Sequence, residues 1–64
     1  KASWLYRAIA LLKPPLPETA HLVLGEELSH AEAGKILGCK ESTISWRMSE
    51  IRKQLTLQME GGHV

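Results

Sequence analysis

Ser42, Ser45 and Ser49 follow one another at spacings of three and four, with Trp46 among them and Arg47, Arg52 and Lys53 close by. On a helix that spacing collects the three hydroxyls on one side. Short hydroxyls allow close approach to a nucleic acid and hydrogen-bond to phosphates or base edges. The basic residues beside them are suited to phosphates. Nothing comparable points to catalysis. No nucleophile–base pair, paired carboxylates or phosphate-cradling glycine loop occurs, so the chain reads as not an enzyme. His21 and His63 are too scattered to act as ligands with Cys39, so no metal site and no cofactor are expected.

The element that must carry the hydroxyls is a helix with a second, apolar side. Ile44, Met48, Ile51 and Leu55 lie at i, i+4, i+7 and i+11, one face of a helix. The helix is expected to start between Glu41 and Thr43 with Ser42 as its cap. Met59 extends the stripe, and Gly61 and Gly62 are expected to end the helix before them. A shorter helix precedes it. Ser29 and Glu32 form the S-x-x-E pattern of a capping box, Ala33, Ile36 and Leu37 recur at helical spacing, and Gly38 stops the run. Further upstream, residues 2–12 are apolar and free of breakers, which predicts another helix. KPPLP then ends it. This segment either joins two helices of one domain or links residues 1–12 to the rest. Glu18 is expected to begin the second helix, with Pro17 near its first turn and Leu22, Val23 and Leu28 on its buried side. Gly25 weakens that helix. No segment alternates as a strand does.

The fold class that follows is all-α: a small domain of three to four helices. Residues 1–13 form an N-terminal helix, 14–17 a Pro-rich connector and 18–60 the main domain. A chain of 64 residues buries only about 60% of its unfolded surface, so its core must be simple. Hydrophobic content of 44% against 23% charged separates it from disordered sequences. A single cysteine excludes an intrachain disulfide and suits a reducing cytosol, so a cytoplasmic location is expected. No apolar run reaches the roughly 20 residues that span a bilayer, and no signal peptide is visible. Without an initiator Met, the chain is expected to be a piece or a processed product of something longer.

Net charge is only +1, but the charges are sorted. Lys1, Arg7 and Lys13 stand without acids in residues 1–13. Glu18, Glu26, Glu27 and Glu32 stand without Lys or Arg in residues 18–32. Lys40, Arg47, Arg52 and Lys53 then face Glu41 and Glu50 in residues 40–53.

A short capped helix, a turn with glycine and a longer amphipathic helix make the helix-turn-helix plan, here over residues 29–57. In that plan the second helix enters the major groove with its N-terminal part. The stretch LSHAEAGKILGCKESTISWRMSEIRKQL, residues 28–55, resembles the C-terminal, promoter-reading fourth domain of extracytoplasmic-function sigma factors. The likeness rests on Leu28-Ser29, Glu32, Ile36-Leu37-Gly38-Cys39, Thr43-Ile44, Arg47 and Arg52-Lys53-Gln54-Leu55; Leu16-Pro17-Glu18 is similar to the Leu-Pro that opens the preceding helix. The departures are a shorter stretch between Leu16-Pro17 and Leu28-Ser29, Gly34 in place of the usual Ala, and Ser45 and Trp46 where Lys or Arg and Ser are common.

The resemblance implies binding of the −35 promoter element within RNA polymerase holoenzyme, docking on the flap of the polymerase beta subunit, and control by an anti-sigma protein. It implies base reading by Ser45, Trp46 and Ser49, and phosphate binding by His30, Thr43 and Arg47. Charge and helical face add Lys53, and the position at the helix start adds Ser42. Plainer roles stand beside these. Trp46 packs against the N-terminal helix or a partner, or else faces DNA or an anti-sigma protein. His30 is a solvent-exposed first-turn residue or a phosphate donor. Cys39 fills the turn as a small apolar group, the four glutamates form a solvated face, and Trp4, Leu5, Ile9 and Leu12 belong to the core. The rival readings are a LuxR-type regulator output domain and a sigma-like module that binds polymerase or an anti-sigma factor instead of DNA. No membrane contact is expected, and self-association is left open.

Overall fold

The computed structural model describes residues 3–61. The expectations for Lys1, Ala2, Gly62 and His63 lie outside the described residues. Among the described residues four α-helices follow in order: α1 (Ser3–Ala10), α2 (Leu16–Ala20), α3 (His30–Leu37) and α4 (Glu41–Gly61). The described residues contain no strand.

The second helix departs from the sequence expectation at both ends. It begins at Leu16 rather than Glu18, with Pro17 at its second position. The N–H groups of a first helical turn have no partner within the helix, so the one that proline lacks is not missed. The expected connector, 14–17, therefore gives up Leu16 and Pro17 to α2, and the turn after α1 ends at Pro15. At its other end α2 does not run on as a regular helix to Gly25. It widens into a π-helical segment over His21–Gly25, closed by the Glu26 N–H donating to the His21 carbonyl at 3.0 Å. Glu27 then takes a left-handed conformation (φ 59°), and the Leu28 N–H returns to the Leu22 carbonyl at 3.1 Å. A non-glycine residue rarely adopts that φ. The wide turn and the left-handed residue together bring the chain to α3 over a short span.

α3 starts as the sequence predicts. The Ser29 hydroxyl accepts from the Glu32 N–H at 3.1 Å, and the Ser29 N–H donates to the Glu32 carboxylate at 2.8 Å. The Ser29 backbone N–H, then its hydroxyl and more weakly Lys35, hold the Glu32 carboxyl below its ordinary value of 4.5. A carboxyl depressed by folding stabilises the fold above its unfolded pKa and loses that contribution as pH falls through the folded value. Acidification from neutral pH to below the ordinary carboxylate range is therefore expected to loosen the start of α3. Ser29 and Glu32 amide shifts should follow this in the native chain, and Glu32→Gln should remove that pH dependence.

Gly38 ends α3 in the left-handed region (φ 73°), where a side chain would be strained. α4 starts at Glu41, so Ser42 lies inside its first turn and is not the cap. The Thr43 and Ile44 N–H groups both donate to the Lys40 carbonyl, at 3.0 and 3.2 Å. α4 also includes Gly61 instead of stopping before it. Its length is about 30 Å at 1.5 Å per residue.

The core sits where α4 crosses the other helices. Ile44, Met48 and Ile51 are buried against Ile9, Leu12, Ala20 and Ala33. Leu5, Leu16, Leu22, Val23, Leu37, Cys39 and Leu55 pack around them, half-buried. α1 is thus part of the same core, fastened further by Gln58 donating to the Ala8 carbonyl at 3.1 Å. Three sequence expectations fail. Trp4 is 51% exposed, Ile36 is 61% exposed, and Met59, expected to extend the stripe of α4, is 52% exposed. In α3 the buried positions are Ala33 and Gly34, and at Gly34 the backbone of the following turn, at Cys39 and Lys40, leaves no room for a side chain.

Candidate nucleic-acid interface

The side of α4 opposite Ile44, Met48 and Ile51 is open. Ser42, Ser45, Trp46, Ser49 and Lys53 are all exposed. Trp46 is 65% exposed, so it is not packed against α1. Thr43 is half-buried at the edge of this face.

Two of the expected phosphate-binding residues are engaged within the fold. His30, half-buried in the first turn of α3, places its Nδ1 2.8 Å from the Ser45 hydroxyl. This contact joins the two helices at the open face. Arg47 is half-buried, and its Nη1 donates to the Thr19 hydroxyl at 3.4 Å. Thr19 is fully buried, and its hydroxyl in turn donates to the Pro15 carbonyl at 3.4 Å. Both bonds are long. Arg47 therefore lies against α2 and differs from Lys53, which is simply exposed.

The structure brings His30, Ser45 and the α4 hydroxyls together and holds Arg47 to one side. The His30–Ser45 pair and the Thr19–Arg47 pair were not visible in the sequence. Their members are 15 and 28 residues apart, and no local pattern connects them. Cys39 is a half-buried free thiol packed at the turn, as a small apolar filler would be. Among the described residues no group of His, Cys, Asp and Glu could hold a metal ion.

A second surface lies towards the far end of α4. Trp4, Arg7, Ala8 and Leu11 of the α1 region and Gln58 and Met59 of α4 line an open groove of about 430 Å³. Leu11 is 75% exposed there. No helix among the described residues is long and apolar enough to cross a membrane.

The fold and its surfaces define a small all-α domain. No protein family, curated protein or solved structure matches the chain.

Proposed function

We propose that α3 and α4 form a helix-turn-helix, and that the chain binds promoter DNA as the fourth domain of an extracytoplasmic-function sigma factor. α4 is the recognition helix. Ser45, Trp46 and Ser49 meet base edges, while His30, Ser42, Thr43, Arg47 and Lys53 meet phosphates. The chain acts in the cytoplasm with RNA polymerase core, through the beta-subunit flap and under an anti-sigma protein, and has no enzymatic activity. The observation that supports this most is the open α4 face, a row of exposed hydroxyls around one exposed tryptophan. The resemblance over residues 28–55 supplies the particular family. Leu16-Pro17-Glu18 and Arg47 favour it over a LuxR-type regulator.

A partner-binding module is the second reading, favoured by the exposed apolar groove between α1 and the end of α4.

Salt titration of binding to a −35-type duplex, by the chain alone and assembled with polymerase core, separates the two. Release of counterions by two or three basic contacts gives a log–log slope of about −2 to −3. Trp46→Ala should change promoter preference while leaving the melting temperature nearly unchanged, since the ring is exposed. Salt-independent binding, or no binding in either assembly, would favour the partner-binding module.

A further inference from the structure

We propose that His30 is a positioning residue that sets the hydrogen-bonding polarity of Ser45, so that protonation of the imidazole turns the Ser45 hydroxyl into an outward-facing donor. The proposal rests on the DNA-binding reading for its consequence, but not for its mechanism.

The mechanism follows from one contact and the chemistry of its two groups. His30 Nδ1 and Ser45 Oγ are 2.8 Å apart, a full hydrogen bond between α3 and α4. A serine hydroxyl has one hydrogen and two lone pairs. When the neutral ring carries its proton on Nε2, Nδ1 is an acceptor and takes the serine hydrogen. Ser45 then offers only lone pairs outward. The protonated ring carries N–H at both nitrogens, so Nδ1 must donate to Oγ. The serine hydrogen is released and points away from the ring. Ser45 is exposed, so either form is presented at the surface.

In a major groove the two forms select different bases. An outward acceptor suits the amino group of cytosine, whereas an outward donor suits guanine O6 and N7 or thymine O4. The Nε2–H is a donor in both forms.

Charged groups on the surrounding elements do not pre-empt this contact. On α3, Glu32 is engaged by Ser29 and Lys35 lies a turn further on. Glu26 and Glu27 precede α3, His21 is stacked on Tyr6 with ring centroids 6.1 Å apart, and α4 contributes Glu41 and Arg47. Among the described residues His30's hydrogen-bond partner is Ser45.

The test has two arms. Histidine changes charge between about pH 5 and 8, so both are run across that range. The first is nitrogen NMR of the His30 ring in the native chain and in Ser45→Ala. The neutral tautomer ratio should change when the hydroxyl is removed; a ring indifferent to that change overturns the proposal. The second measures binding to duplexes carrying each base in turn at every position of the site, with polymerase core present. The preference for guanine or thymine over cytosine at one position should rise roughly fivefold or more on acidification. Ser45→Ala and His30→Gln should both abolish that shift in relative preference, whatever each costs in overall affinity. A pH-independent preference in a chain whose His30 demonstrably titrates also overturns it. A chain that binds no duplex but shows the tautomer change sinks the DNA-binding reading and supports the His30–Ser45 coupling.

Discussion

Ile9→Ala is expected to cost about 2–5 kcal/mol of folding stability. Ile9 is fully buried and packs in one cluster with Ile44, Met48 and Ile51. Removing its outer carbons takes away burial and leaves a cavity that a small core closes only in part. At about 0.05–0.15 kcal/mol per residue, a chain of this length has roughly 3–10 kcal/mol in all. The loss is therefore a large share of the total and should appear as a much lower denaturant midpoint. Leu11→Ala is the control. Leu11 stands two positions along and is mostly exposed, so its loss should move the midpoint little. Equal small effects at both sites would mean that α1 is not part of the core, and that KPPLP is a linker after all.

Gly34→Val is expected to destabilise by about 1–3 kcal/mol through overpacking. A Cβ at Gly34 would stand 2.7 Å from the Cys39 carbonyl oxygen, closer than real Cβ contacts. The obstacle is backbone, and the Cys39 N–H is itself bonded to the Gly34 carbonyl at 2.9 Å. Relief therefore requires the turn between α3 and α4 to open. Gly34→Ala should be milder, because alanine's helix propensity returns up to about 1 kcal/mol. Thermal unfolding of both variants measures the difference. A stabilised Gly34→Ala would show that the turn yields easily. Because this turn sets α3 against α4, the same variants should lengthen the His30–Ser45 contact.

Much of the helical plan was legible in local sequence. The Ser29–Glu32 box and Gly38 mark the ends of α3 because capping depends on residues a few positions apart. The stripe of Ile44, Met48, Ile51 and Leu55 oriented α4 and left Ser42, Ser45, Trp46, Ser49 and Lys53 outside, as its periodicity requires. Local rules failed where neighbours in space competed with them. Ser42 has the chemistry of a cap, yet the chain enters α4 one residue earlier. Ile36 has helical spacing, yet Ala33 and Gly34 take the inner positions.

By itself, the sequence determined an all-α chain, the polar and apolar sides of α4 and the capped start of α3. These follow from periodicities and spacings within a few turns. Only the tertiary structure decided that α1 joins the core, that α2 widens into a π-helical segment, that Arg47 leans on Thr19 and that His30 meets Ser45. The core contact of α1 and the two side-chain pairs depend on groups distant in the chain, whose approach is fixed by how the helices pack.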